Sequence, residues 1–358
     1  MAGHCRRVPG FRRRHGDGKA GVPHRFPPAG RHRQVFVTRG PAWVVGAGGL
    51  LGSAVVGALG AAPFKPSSAL RWGDPSLHAS VSAAVSEFAR AAQNARDSHP
   101  WELYWCAGAG VVGSRAADLA RETAALRQLL ESVRDSPVLA KTRGSILLAS
   151  SAGGVHAGAR VQPATEASEP APLSDYGRTK VEQERLLREI TREMPLVSTL
   201  AARYSNLYGV GQRLDKPQGL ISQLARCAVF GAPAHVFVPL DTIRDYLYAD
   251  DAGAMTVDAL NRLALLPPGA QLTKLVASER ESTIAALLGI FRSMTKRQLR
   301  VVLGVRAMTA LQPRKLTFRS GLWREQRGLV RTELVDGIAR VYRHQLRVFQ
   351  LGRLARPA

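Results

Sequence analysis

The sequence is poor in cysteine, with three residues, Cys5, Cys106 and Cys227, among 358. They lie far apart and lack the paired spacing of a zinc knuckle or a disulfide framework. We therefore expect no metal site and no disulfide. A reducing cytoplasm is the simplest location that this pattern indicates.

Acidic residues are also scarce, with 27 Asp and Glu against 50 Lys and Arg and a net charge of +23. The excess lies at the ends: residues 1–40 hold ten basic residues against Asp17 alone, and residues 291–358 hold sixteen against three acids. The middle is nearly neutral, which argues against nucleic acid as the main partner. For the C-terminal excess, solvated helix faces are favoured over a binding patch.

Residues 1–40 lack any apolar period that could build a helix or strand, and we predict a disordered basic tail. The uncharged run 43–62 that follows, WVVGAGGLLGSAVVGALGAA, has three possible interpretations: a secretory signal, a membrane anchor or the start of an enzyme. Six of its twenty residues are glycine, so its hydrophobicity is weak for a membrane span.

The glycines of this run are regularly spaced. Gly46, Gly49 and Gly52 recur every three residues after the strand-like segment 42–45. In a nucleotide-binding turn, such glycines permit a tight bend, backbone approach to a pyrophosphate and close packing of helix on strand. The amides that open the next helix, placed at about 50–60, would then face the phosphates. A flexible glycine-rich turn is the alternative.

A second group of residues has the pattern of an acid-base site. The segment 145–151 reads as a buried strand that ends in Ser151, and Tyr176 and Lys180 stand one helical turn apart. An ammonium at that distance favours the phenolate, which makes the tyrosine a usable general base. The alternative is an ordinary Tyr and Lys on an exposed helix.

Four ordered segments resemble the extended short-chain dehydrogenases and reductases, specifically the NAD-dependent epimerase/dehydratase family. VGAGGLLG resembles the family's glycine turn, and SS with YGRTK twenty-five residues later resembles its serine and YxxxK. ARYSNLYGVGQ and TIRDYLYADDAG resemble two segments on the substrate side. The resemblance covers about residues 42–350 and is firm to Gly253.

The resemblance implies an α/β fold, with a doubly wound parallel Rossmann sheet and a smaller C-terminal substrate-binding lobe. The NAD(P)-binding domain would span residues 41–203, with residues 236–256 returning to it and a strand near 236–250 joining its sheet. Residues 204–358 would mainly form the lobe. A homodimer is expected through the helices near 116–133 and 176–190.

The resemblance also implies the roles of individual residues. Hydride would pass between a nucleotide sugar and the nicotinamide while Tyr176 transfers the proton, with Lys180 and Ser151 in support. Asn206 and Arg244 would contact the substrate. The residues expected at the cofactor, besides Tyr176 and Lys180, are Gly46, Gly49, Leu50, Leu51, Gly52, Asp74, Ala107 and Gly108.

Two departures from the family pattern limit the reaction and the cofactor. The segment 62–72, APFKPSSALRW, lacks the acid that holds the ribose hydroxyls of NAD and offers Lys65, Ser67, Ser68 and Arg71 instead. NADP is therefore favoured over NAD, although a plain solvated loop explains these residues equally well. Residues 152–154 are Ala-Gly-Gly where sugar dehydratases carry an Asp-Glu pair, which argues against a 4,6-dehydratase.

An epimerase and a reductase both remain open, and the reductase includes one that acts on a non-sugar carbonyl. A second class is a non-catalytic cofactor sensor, and a third is a membrane-attached or exported protein. His156, which replaces a tyrosine of the family pattern, is interpreted as a loop histidine.

Overall fold

The computed structural model describes residues 39–95, 100–215, 218–296, 299–304 and 312–357. The expected disordered tail lies outside these residues except for its last two, so it stays a prediction. The strands are β1 (Ala42–Val45), β2 (Trp101–Trp105), β3 (Gly144–Ser151), β4 (Val197–Tyr204), β5 (Asn206–Tyr208), β6 (Ala234–Val236), β7 (Ile243–Tyr248), β8 (Gln271–Val276), β9 (Glu281–Thr283), β10 (Val301–Leu303) and β11 (Lys315–Leu316). The helices are α1 (Leu50–Ala58), α2 (Leu77–Asn94), α3 (Ala116–Asp135), α4 (Pro137–Lys141), α5 (Ala152–Val155), α6 (Asp175–Thr191), α7 (Leu220–Phe230), α8 (Ala249–Ala264), α9 (Ile284–Thr295) and α10 (Leu334–Gln350).

The main sheet has five parallel strands in the order β1-β2-β3-β4-β8. Every residue of β1, β2 and β4 is buried, as expected for parallel strands covered on both faces. Helices α2, α3 and α6 cover one face, and α1 and α8 cover the other. The predicted doubly wound Rossmann-like fold is therefore confirmed.

The two faces are packed differently. The α2 side is aromatic, with Trp43, Phe88 and Trp101 in mutual edge or tilted contacts. On the other side α1 and α8 lie close together, since a Cβ at Gly253 would come within 2.4 Å of the Ala54 carbonyl oxygen. Small residues thus bring α8 directly against the helix that follows the glycine turn.

Between α1 and α2 the chain pairs with the main sheet at one residue. Phe64 forms a single parallel bridge with Trp43, and its N–H donates to the Ala42 carbonyl at 2.7 Å. Pro63 and Pro66 flank it, and proline cannot donate a ladder hydrogen bond. The chain therefore leaves the sheet after Phe64.

The strand expected to return near 236–250 does not join the main sheet, and this detail of the prediction was wrong. Strand β6 pairs with β10, while β7 pairs with β5, β9 and β11 in a separate sheet. The return is made by α8, which packs on α1, and by β8, which supplies the fifth strand. The wider division of the chain into two lobes stays a prediction.

The uncharged run 43–62 contains most of β1, the glycine turn and all of α1. Within the described ranges, no helix has the length and apolar character needed to cross a membrane.

Candidate active site

The glycine turn after β1 has the geometry that its spacing predicts. Gly46 has φ +88°, and a Cβ there would lie 2.6 Å from the Ala107 nitrogen. The Gly49 N–H donates to the Gly46 carbonyl at 2.9 Å. A Cβ at Gly52 would lie 2.1 Å from that same oxygen. Glycine is therefore required at Gly46 by conformation and close approach, and at Gly52 by packing.

The N-terminus of α1 is suited to bind an anion. Its N-cap is Gly49, no side chain caps it, and no acidic residue lies in its first turn. Leu50 and Leu51 open the helix, so their amides point along the favourable end of its dipole. A cavity of about 450 Å³ beside the turn is lined by residues that include Ala47, Gly48 and Lys65. These residues fit the phosphates of a dinucleotide.

Of the other residues expected at the cofactor, Ala107 lies against this turn. Ala107 and Gly108 follow β2, with Ala107 against Gly46 and Gly108 at φ +153°. Asp74 is exposed just before α2, where its Oδ1 accepts from the Ser76 N–H at 2.7 Å and from the Ser76 hydroxyl at 2.6 Å.

The segment 62–72, which is expected to distinguish NADP from NAD, is hydrogen-bonded to a carboxylate from another part of the chain. Lys65, Ser68 and Arg71 are exposed. The Ser67 N–H and hydroxyl both donate to Glu87, the former at 2.7 Å. A carboxylate is thus present near this loop, supplied by α2, and each of its oxygens already accepts from Ser67.

The residues expected to be catalytic lie where β2 and β3 end. The Tyr176 ring lies between two glycines: a Cβ at Gly154 would be 3.0 Å from its Cε1, and one at Gly110 would be 3.5 Å from its Cδ2. Ser151 ends β3 and caps α5, with its Oγ accepting from the Gly154 N–H at 3.0 Å. Gly154 therefore links Ser151 to the tyrosine ring.

Lys180 is buried beside this ring, with its Nζ 5.7 Å from the ring centroid of Tyr176. The ammonium donates to Glu122 Oε1 at 2.8 Å and to Gln183 Oε1 at 2.9 Å. Burial alone would lower the pKa of Lys180, but the Glu122 carboxylate and Tyr176 outweigh it, and the net pKa is raised. The lysine is therefore held as an ammonium within the site.

Glu122 on α3 was not predicted from the sequence. Its other oxygen, Oε2, accepts from the backbone N–H groups of Ala109 and Gly110 at 3.1 and 3.0 Å. Burial alone would raise its pKa, but Lys180 and the other donors outweigh it and the net pKa is lowered. Since 58 residues separate Glu122 from Lys180, no local pattern could have indicated this ion pair.

A buried polar network connects α6, β3 and β4 next to the residues that are expected to be catalytic. Glu184, one turn after Lys180, accepts from the Ser150 hydroxyl at 2.6 Å and pairs with Arg203. Arg203 Nη1 lies 3.0 Å from His156 Nε2. Because a guanidinium can only donate, the imidazole accepts here and is neutral. His156 lies in the turn that follows α5, as expected for a loop histidine, but its side chain is fully buried.

The two residues expected at the substrate lie on neighbouring strands, β5 and β7. Ser151 is paired with Tyr204, the last residue of β4, and Asn206 follows two positions later. The Asn206 amide donates to the Asp245 carbonyl at 2.8 Å. Arg244 is 8% exposed and donates to the Ile243 carbonyl, and burial lowers its pKa. Among the described residues, no acidic side chain acts on its pKa.

Among the residues that the structure describes, His, Cys, Asp and Glu side chains form no group of three able to hold a metal ion.

The family match covers both the glycine turn and the helix that carries Tyr176 and Lys180. Residues 42–271 match the model of the NAD dependent epimerase/dehydratase family. The chain belongs to this family. Its fold, turn and Tyr-Lys helix are those that the resemblance in the sequence predicted.

Individual relatives differ in their chemistry. The dTDP-4-dehydro-6-deoxyglucose reductase of Escherichia coli is 36% identical over 106 residues, which span 30% of this chain and only 33% of that protein. The UDP-glucose 4-epimerase of Thermus thermophilus, in complex with NAD, has a TM-score of 0.68 at 19% identity and covers 85% of this chain and 98% of its own. RMD from Pseudomonas aeruginosa, complexed with NADPH, has a TM-score of 0.69 at 19% identity. The match covers 86% of this chain and 99% of that one. These two structures support the fold.

Proposed function

We propose that the protein is an NAD(P)-dependent epimerase or reductase that acts on a hydroxyl or keto group of a nucleotide sugar. The observation that carries the proposal is the position of Tyr176. Its ring lies between Gly110 and Gly154, at the carboxyl ends of β2 and β3, beside the buried Lys180 ammonium. In a doubly wound sheet this edge is where ligands bind.

Three residues of the chain would have separate roles in the reaction. The nicotinamide, when bound, supplies the acceptor or donor of the hydride. Tyr176 takes the proton from the substrate hydroxyl, or returns it to the keto oxygen, at its phenolic oxygen. Lys180 stabilises the phenolate, and the Ser151 hydroxyl orients the same substrate oxygen.

The proposed substrate class is supported by Arg244 and Asn206, on the paired strands β7 and β5, and by the relatives. Arg244 is a buried guanidinium whose pKa no acidic side chain among the described residues raises, and such a cation suits a phosphate. Asn206 lies on the paired strand. The Thermus relative is named a UDP-glucose epimerase and the E. coli relative a dTDP-sugar reductase, so both support a nucleotide sugar and neither decides between the two reactions.

We also propose NADP as the preferred cofactor, because Lys65 lines the cavity at the turn and Glu87 is already bound to Ser67. A cytoplasmic location and a homodimer through α3 and α6 complete the proposal. The two helices pack on each other in one layer, and light scattering at micromolar concentration tests the dimer.

The experiment that tests the function compares Tyr176→Phe with Tyr342→Phe, the same change on α10. Each purified protein is incubated with NAD(P) and a panel of UDP- and dTDP-sugars. Net reduction or oxidation is followed at the nicotinamide absorbance, and epimerisation, which leaves the cofactor unchanged, is followed by chromatography of the sugar nucleotides. Tyr176→Phe is expected to lower turnover by roughly a hundredfold or more with little effect on cofactor affinity. Lys180→Met is expected to reduce both.

Three results would contradict the proposal in different ways. Native turnover in Tyr176→Phe overturns the catalytic assignment. Cofactor binding without turnover on any sugar nucleotide or simple carbonyl favours a sensor. Activity on simple carbonyls alone favours a reductase of non-sugar substrates.

A further inference from the structure

The carboxylate of Glu122 is fixed from three sides. Lys180 donates to Oε1, and the N–H groups of Ala109 and Gly110 donate to Oε2. Gln183 also donates to Oε1, at 3.3 Å. Glu122 and Lys180 are nearly buried, with 9% and 7% of their side chains exposed. Water therefore screens neither charge strongly, and each has a strong electrostatic effect on neighbouring groups.

Other charges near this pair are already balanced. Glu184 lies one turn from Lys180 on α6, but it forms an ion pair with Arg203 of β4. Glu122 raises the pKa of Lys180 most, and Tyr176 and Glu184 raise it less. Among the described residues, Glu122 is the acidic side chain that the ammonium contacts directly.

We propose that Glu122 is a charge-balancing positioning residue that sets the relative affinity of the site for oxidised and reduced cofactor. The inference rests on the proposed function, in which Lys180 serves the nicotinamide end of the cofactor. The oxidised nicotinamide ring carries a positive charge and the reduced ring carries none. A site with an unbalanced ammonium repels the oxidised ring, whereas the Glu122–Lys180 pair is neutral and accepts it.

Coulomb's law gives the scale of the effect. At an effective dielectric constant of about 20, two unit charges within roughly 12 Å change an equilibrium by about tenfold or more. Removing the charge of Glu122 is therefore expected to weaken binding of the oxidised cofactor by about tenfold relative to the reduced one. A purely structural role would weaken both forms alike.

The test measures dissociation constants of the full chain for NAD(P)⁺ and NAD(P)H at pH 7 by calorimetry and nicotinamide fluorescence. The readout is the ratio of the oxidised to the reduced constant, and no turnover is involved. Glu122→Gln is expected to raise this ratio about tenfold. Glu131→Gln, on the same helix and paired with Arg127, is the matched control and should leave the ratio unchanged.

Two further variants separate charge from shape. Glu122→Asp keeps the charge and should keep the ratio close to native. The double variant Glu122→Gln/Lys180→Met removes both charges and should restore the native ratio, even though both constants rise. If Glu122→Gln does not fold, Lys180→Met alone makes the opposite test, because it leaves the carboxylate unbalanced and should lower the ratio.

The outcomes are distinct. An unchanged ratio in Glu122→Gln, or in Lys180→Met if that variant must replace it, overturns the inference while the proposed function stands. A raised ratio that persists in the double variant also overturns the inference. The effect would then come from a change in the loop of Ala109 and Gly110, which Glu122 binds, and not from charge. A native chain that binds neither form overturns the proposed function and this inference with it.

Discussion

Glu184 and Arg203 form a buried two-point ion pair between α6 and β4. Arg203 Nε donates to Glu184 Oε1 at 2.9 Å, and Nη2 donates to Oε2 at 2.7 Å. The pair also receives the Ser150 hydroxyl, which stands one residue before Ser151. It therefore joins the strand that ends in the proposed catalytic serine to the helix that carries Tyr176.

Breaking this pair from one side should be costly. Glu184→Gln leaves the buried Arg203 guanidinium without its counter-charge and is expected to lower the free energy of unfolding by about 3 to 5 kcal/mol. Glu189→Gln on the same helix removes an exposed partner of Arg185 and should change it by less than about 1 kcal/mol. Urea unfolding of both variants is the measurement. Equal effects in the two would show that the buried pair has no special role.

His156 should make the stability depend on pH. Burial and the neighbouring Arg203 lower the pKa of His156 from 6.5 to about 4. Between these values the unfolded chain binds the proton and the folded chain does not, so the free energy of unfolding falls as the pH falls from 6.5 to 4, by about 3 kcal/mol. Above pH 6.5 this contribution is fully present.

The contribution of His156 is isolated by comparing urea unfolding of the native chain with His156→Gln at several pH values. The variant should lose about 3 kcal/mol of the pH-dependent change. His235→Gln, at an exposed position on β6, is the control. A native slope in His156→Gln would show that other groups cause the acid sensitivity.

Local patterns were sufficient for the elements that surround the cofactor. The spacing of Gly46, Gly49 and Gly52 predicted β1, the turn and α1, because Gly46 has a positive φ and Gly52 packs against the Gly46 carbonyl. The Tyr176–Lys180 spacing predicted α6. Each of these features depends on residues within about one helical turn of one another.

Features that depend on distant residues could not be predicted in this way. Glu122 reaches Lys180 across 58 residues, and Glu87 reaches Ser67 from another helix. Strand β7 has the composition of a sheet strand, but its pairing partners β5, β9 and β11 are set by the tertiary fold. The burial of His156 could not be predicted either, because its partner Arg203 lies 47 residues away.

The preference for NADP should depend on Lys65. Lys65 is exposed and lines the cavity at the glycine turn, where its charge would attract a 2′-phosphate. Lys65→Glu is expected to weaken NADP binding by about tenfold or more while NAD is little affected. Lys141→Glu on α4 is the same change at a distant exposed position. Fluorescence titration with both reduced cofactors measures the affinities of the two variants. An equal loss of affinity for NADP and NAD in Lys65→Glu would argue against the proposed role.

The glycine turn offers the sharpest comparison, because α1 carries two glycines in opposite settings. A Cβ at Gly52 would lie 2.1 Å from the Gly46 carbonyl oxygen, whereas one at Gly57 meets nothing within 4 Å. Gly52→Ala must push α1 away from the turn and is expected to cost about 1 to 3 kcal/mol. Gly57→Ala should be neutral or stabilise the chain by up to about 1 kcal/mol, since alanine is the better helix former.

In Gly52→Ala the displaced helix would also turn the amides of Leu50 and Leu51 away from the phosphates. Cofactor affinity, measured by calorimetry at a temperature where both variants are folded, should therefore fall at least tenfold in Gly52→Ala and stay native in Gly57→Ala. If Gly52→Ala folds and binds cofactor with native affinity, the turn does not hold the phosphates.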